Sequence, residues 1–287
     1  MSKVVNDNYP VARPISNEEL IAKLSAGVTD EPTPKPSNVP TEVIELPSRG
    51  YFYPEGHPLS GGTIEMRYMT AKEEDILASQ TLIKSGVVID KLLQSLIVTK
   101  VDYNDILTVD KNAIFIVARI LAYGPDYEVE ITCPNCGEKT KQHIDLQSFE
   151  SKEIDWSRFE KHKTEFTFTL PVCKKELALK FLTHGDEKRI EEAVKAQKKL
   201  SKITGVDPEL TTRLKHIITA VDGDTDQQNI NKFVDSMLSR DSLALRTFLK
   251  EITPDVDTTF GFVCPHCEYE QEKMAMPINV QFFWPSL

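Results

Sequence analysis

Four of the five cysteines in this 287-residue chain fall into two short pairs, Cys133-Pro134-Asn135-Cys136 followed by Gly137, and Cys264-Pro265-His266-Cys267. Two C-x-x-C half-sites offer four thiolates, the number and softness of donors that a tetrahedral structural Zn²⁺ takes. A tight turn, to which Pro and Gly are suited, lets both sulfurs of a pair point at one ion while nearby backbone N–H groups donate to them. Strand-like runs at 127–132 and 258–263 precede the pairs, and polar strand-like segments follow, so each pair reads as a knuckle at a hairpin tip. One ion held by Cys133, Cys136, Cys264 and Cys267 would close a domain-sized loop and tie the C-terminus to the middle of the chain.

The same residues allow other chemistry. Four reduced, unligated thiols or two local disulfides are the plain alternatives. A C-P-H-C pair serves thiol-disulfide exchange when it opens a helix whose N-terminus stabilises the first thiolate. Here Glu268-Tyr269-Glu270-Gln271-Glu272 follows, and its acids would raise thiolate pKa values, while no helix of good length fits before Pro277. His266 lies inside the second pair and His143 shortly after the first; either is a substitute ligand, ranked behind the cysteines. Cys173, within the alternating run 166–173, reads as an ordinary packed thiol.

Catalytic constellations are otherwise missing. Asp222, Gly223, Asp224 and Asp226 superficially resemble a Ca²⁺ loop, but the sixth position lacks Gly and Phe233 stands where the bidentate Glu belongs, which leaves an acidic turn. Glu73-Glu74-Asp75 and Glu191-Glu192 fall on expected helices, where capping and solvation account for them. There is no P-loop, dinucleotide glycine fingerprint or nucleophile elbow.

A formal charge of −10 opposes a phosphate-binding surface, which matters because zinc ribbons often contact nucleic acid. With 40% hydrophobic residues the chain has enough apolar material for a sizeable core. The most apolar runs, 87–98 and 113–122, are too short to span a bilayer, and no apolar core of an export signal is visible at the N-terminus. Cysteines with metal spacing and no export segment predict synthesis in a reducing cytoplasm.

Three regions follow from composition and periodicity. Residues 1–42 carry Pro10, Pro14, Pro32, Pro34, Pro36 and Pro40 and read as a disordered arm, within which Ser16-Asn17-Glu18-Glu19 is a capping box for a short amphipathic helix stopped by Gly27. Residues 43–125 begin as a β unit, with strands at 43–46 and 63–68 around a turn-rich stretch. They continue as a helical block capped at Thr70, with faces formed by Val88, Leu92, Leu93, Leu96 and Ile97, then by Ala113, Ile116, Val117, Ile120 and Leu121. Residues 126–287 form a zinc-knuckle and β domain, with strands at 166–170 and 177–182 and a helical insertion at about 184–252. Within the insertion, helices are expected at 186–200, 211–221, 230–238 and 242–252, the last N-capped by Asp241. The fold class is therefore α+β: helical blocks with small β-hairpin units and a zinc-ribbon-like site of four cysteines joining residues near 135 and 265. The closing Phe282-Phe283-Trp284 either packs back near the knuckles or serves as an interface anchor.

Several ordered runs carry a family resemblance: Leu46-Pro47-Ser48-Arg49-Gly50 with Tyr53-Pro54, then 67–77, Leu82-Ile83-Lys84-Ser85-Gly86, Asp90-Lys91-Leu92-Leu93, and the closing Pro277-Ile278 and Phe282-Phe283-Trp284-Pro285. From Val43 to its end the chain resembles the baseplate hub family of T-even-type contractile-tailed bacteriophages. The resemblance implies a late, non-enzymatic viral protein used to build the central baseplate hub, as a structural component or an assembly chaperone. It implies other hub or wedge subunits as partners, and a place in the host cytoplasm during assembly and then in the virion tail. A zinc-ribbon nucleic-acid binder and a thiol-disulfide oxidoreductase are the alternative functions.

Overall fold

The computed structural model describes residues 39–200, 208–276 and 280–283. The proline-rich arm up to residue 38, its Ser16 capping box and Trp284 lie outside the described residues.

Strands β1 (Thr41–Glu45) and β2 (Thr63–Arg67) pair antiparallel, Ile44 opposite Ile64, around the turn-rich loop expected between them. Gly50 and Gly62 both have positive φ, and a Cβ on Gly50 would stand 2.3 Å from the Ser60 carbonyl oxygen. Only glycine allows this approach of two backbone segments. The loop is then fixed from below. The Ser48 N–H and hydroxyl donate to the Asp110 carboxylate (2.9 and 2.8 Å), and the Tyr53 hydroxyl donates to it (2.9 Å) while accepting the Leu107 N–H (3.0 Å). Asp110 is wholly buried, and burial pushes its pKa up to about 6 against the pull of these three donors.

The helical block follows as α1 (Ala71–Ala78), α2 (Gln80–Ser85), α3 (Val88–Leu96) and α4 (Thr108–Tyr123). Thr70 and Glu73 form the capping box of α1. Solvation is not the explanation for Glu73, which is buried. Burial alone would raise its pKa, but Arg67, with Nη2 at 2.6 Å, and the Thr70 hydroxyl and N–H hold it at about 2. Val88, Leu92, Leu93 and Leu96 face the core from α3, as their spacing requires, and Gly124 ends α4.

Two hairpins bracket the remainder: β3 (Asp126–Thr132) with β4 (Lys139–Asp145), and β8 (Thr259–Val263) with β9 (Glu270–Ala275). Between them, among the described residues, lie a three-stranded antiparallel sheet of order β5-β6-β7 and four α-helices. The strands are β5 (Glu165–Thr169), β6 (Glu176–Lys180) and β7 (Ile218–Val221); the helices are α5 (His184–Leu200), α6 (Glu209–Ile217), α7 (Gln227–Asp235) and α8 (Ser239–Ile252). Residues from Pro40 onward form one compact unit.

Three local expectations fail for physical reasons. The helix expected at 211–221 stops at Ile217, because Ile218-Thr219-Ala220-Val221 finds a partner in β6 and suits a strand. Asp241 caps no helix: α8 begins at Ser239, and the buried Asp241 carboxylate accepts the Val172 and Cys173 N–H groups of the β5–β6 turn (2.8 and 3.1 Å). Cys173 is exposed in that turn rather than packed.

The C-terminal aromatics close the core. Phe282 and Phe283 are fully buried, each 4.9 Å from the Phe115 ring of α4, and Arg119 Nε donates to the Phe282 carbonyl (2.9 Å). Phe282 also packs on Tyr127, at the opposite end of β3 from Cys133, so the closure lies at the foot of the first hairpin and not beside the knuckles.

Two outcomes are expected. Tyr53→Phe strands the Leu107 N–H and one acceptor of Asp110, so urea denaturation should show a loss of about 1–3 kcal/mol. Because Asp110 holds its proton more tightly in the folded chain than in the unfolded one, its contribution is full below about pH 4 and is lost as pH rises through about 6. Measured against Asp110→Asn, the native chain should lose roughly 1–3 kcal/mol of relative stability between about pH 4 and 7.

Candidate metal centre

The β3–β4 and β8–β9 hairpins carry the two C-x-x-C pairs at their tips, and the tips are built alike. In the first, the Cys133 N–H donates to the Glu138 carbonyl (2.8 Å) and the Gly137 N–H to the Cys133 carbonyl (2.9 Å). In the second, Cys264 donates to Tyr269 (2.9 Å) and Glu268 donates to Cys264 (3.0 Å). The residue after each pair takes positive φ, 77° at Gly137 and 58° at Glu268, which turns the chain back into the second strand.

The hairpins share a small core of their own, made by Ile131, Cys133, Phe262 and Cys264, with Val129, Phe260 and Met274 packed against it. This apolar contact places the tips together. Cys133 Sγ lies 3.7 Å from Cys267 Sγ, Cys136 Sγ lies 3.7 Å from Cys264 Sγ, and all four sulfurs lie within 4.8 Å of one another. A tetrahedron with zinc–sulfur bonds of about 2.3 Å has edges of about 3.8 Å, so the donors fit such an ion in number, type and spacing. The separations are far from the ~2.05 Å of a disulfide, and no cysteine is paired. Cys133 and Cys264 are buried, while Cys136 is exposed and Cys267 half-buried.

The electrostatics of the bare thiols are in conflict. Asn135 Nδ2 donates to Cys267 Sγ (3.5 Å), and with the Tyr269 N–H it holds the Cys267 thiol down at about 6. Cys136 receives the Glu138 N–H, which favours its thiolate, yet lost solvation and three neighbouring sulfurs push it up to about 12. One thiolate therefore forms readily, and further ones are opposed by it. A cation among the four sulfurs removes that opposition.

Sequence spacing identified all four members of this cluster but missed Asn135, whose amide crosses from one hairpin to the sulfur of the other. An amide in the turn between two thiols was the available signal. Neither histidine joins in. His143 lies 3.4 Å from Asp126 and 3.5 Å from Glu128, and His266 is exposed. The 222–226 turn is acidic for local reasons: Asp222 accepts from Lys175 and the Glu176 N–H, and Asp226 caps α7. Among the described residues, the four cysteines are the group of metal-sized dimensions.

Comparison with known proteins places this geometry in context. A family model described as "T4 bacteriophage base plate protein" matches residues 48–284, a span that includes both knuckles. No curated protein and no solved structure matches the chain.

Substitution of Cys133 or Cys264 by Ser puts a hydroxyl in the shared core and should lower the melting temperature measurably, whereas Cys173→Ser, at an exposed turn, should stay within about 0.5 kcal/mol of the native chain. Thermal melts of the three variants check this.

Proposed function

Because the chain belongs to the T4 bacteriophage base plate protein family, we propose that it acts in building the central hub of the tail baseplate, through contacts with other hub or wedge subunits. Its place is the baseplate of the virion tail, reached from the host cytoplasm where the hub is assembled. The observation that carries this reading is the family match across residues 48–284. The Leu46–Gly50 and Tyr53 residues that resemble hub proteins support the finer assignment. In the fold they hold the 46–62 loop on Asp110 and so have a structural use.

The role is non-enzymatic. The strongly perturbed carboxylates are occupied by structure: Glu73 with Arg67 and Thr70, Asp186 with Lys180, Arg189 and Thr183, and Asp110 with Ser48 and Tyr53. For Asp186, burial would raise the pKa, but those donors hold it at about 2. Such groups fix loops and caps.

Cys133, Cys136, Cys264 and Cys267 hold one structural Zn²⁺. Four thiolates fill a tetrahedral shell and leave no position for water or substrate. Thiol-disulfide exchange is the weaker reading, because the short sulfur contacts run between hairpins rather than within a C-x-x-C pair, and strands, not helices, follow both knuckles. The net charge of −10 weighs equally against nucleic-acid binding. With zinc in place, residues 126–287 act as one domain that carries the helical insertion at about 184–252.

Removal of the gene should abolish hub formation, seen as missing central densities in electron micrographs of baseplates; normal hubs would sink the assignment. Metal analysis of the purified chain should find about one zinc per chain, and chelation should lower Tm by about 10 °C or more.

A further inference from the structure

The β5-β6-β7 sheet ends on β5, whose outer edge makes no backbone hydrogen bond to another element among the described residues. Exposed edges are ordinarily blunted by lysine, proline or a bulge. Within Glu165-Phe166-Thr167-Phe168-Thr169 none of these occurs. Beside the edge run two adjoining grooves that share Arg158 and Phe248, of about 330 and 610 Å³. The larger is lined by Phe168, Pro171, Val172 and Leu243, and of these Val172 is 40% and Leu243 58% exposed. These apolar side chains continue the edge rather than lying apart from it.

The β5 sequence is nearly symmetric about Thr167. If a second β5 is laid antiparallel with Thr167 opposite Thr167, each Phe166 faces a Phe168, and Thr faces Thr. Aromatic pairs and threonine pairs are favourable cross-strand neighbours. The charges agree. Arg158 is already bound to Glu251 (2.7 Å) and Lys163 to Glu160, but neither Glu165 nor Arg240 forms an ion pair among the described residues. Glu165 starts β5, whereas Arg240 lies beside Phe168 and Pro171, at the other end of the strand. The adjacent Asp241 feels the charge of Arg240 but forms no ion pair with it, its carboxylate being bonded to the Val172 and Cys173 N–H groups. The two-fold pairing brings Glu165 of each copy toward the Arg240 end of the other.

We propose that two copies of this chain associate through antiparallel pairing of their β5 edges, joining the two β5-β6-β7 sheets into one and setting Glu165 of each copy against Arg240 of the other. This goes beyond the hub assignment and is independent of it, since the isolated full-length chain suffices for the test.

Sedimentation equilibrium of the full-length chain, of mass 32.5 kDa, should give twice that mass at high concentration. Thr167→Lys, at an exposed position, would set two ammonium groups opposite each other on the two-fold axis and should leave only monomer. Arg240→Glu and Glu165→Arg should each weaken association by about tenfold, and the double swap should restore it to within about threefold of the native chain. Circular dichroism confirms that each exposed substitution leaves the fold intact. A monomer at about 100 μM, a value below which stable interfaces dimerise, would overturn the proposal. So would a dimer that tolerates Thr167→Lys, or single charge reversals that the double swap fails to rescue.

Discussion

The convergence of four sulfurs at the tips of two small hairpins is the constraint on which the rest of the architecture depends. A two-stranded ribbon is barely stable alone, and the core shared by these two ribbons contains only Ile131, Cys133, Phe262 and Cys264 as buried members. Two of those four are members of the sulfur cluster, so the shared core reaches into the hairpin tips. The same contact decides chain organisation. With β8–β9 pinned to β3–β4, the segment that forms β5 to α8 must leave from and return to one place, and the C-terminal residues are delivered to the foot of β3, where Phe282 meets Tyr127.

Elsewhere the chain uses buried carboxylates as fasteners for irregular backbone. Asp110 holds the 46–62 loop, Glu73 joins β2 to the start of α1, Asp186 ties β6 to the first turn of α5, and Asp241 holds the β5–β6 turn against α8. Each accepts backbone N–H groups or is met by a cation, the condition under which a buried charge is tolerable. An acidic chain that spends its perturbed carboxylates on geometry presents a braced body with four clustered cysteine sulfurs. That is the physical profile of a baseplate part, whose task is to hold neighbours in position.

The legible parts were those whose cause is local. The C-x-x-C spacing, the Thr70-Glu73 box and the apolar stripe Val88-Leu92-Leu93-Leu96 each express a turn or helix geometry within a few residues, and each was found in place. Features that depend on distant partners were not readable. Ser48 meets Asp110 across 62 positions, a pairing that no short-range pattern encodes. Ile218–Val221 continues a helical pattern on paper and becomes a strand because β6 offers an open edge. Asp241 has the look of an N-cap, yet two N–H groups from another turn claim its carboxylate. In the cysteine cluster the four members were visible from spacing, whereas the cross-hairpin bond from Asn135 required knowing that the hairpins meet.

Zinc K-edge X-ray absorption of the purified full-length chain tests the central claim most directly, because it reports the atoms around the ion rather than the stability of the fold. One shell of about four sulfur scatterers at about 2.3 Å is the expected spectrum. Absence of bound zinc, or a shell that mixes sulfur with nitrogen or oxygen, would show that the sulfur cluster does not pin the two hairpins in the way described.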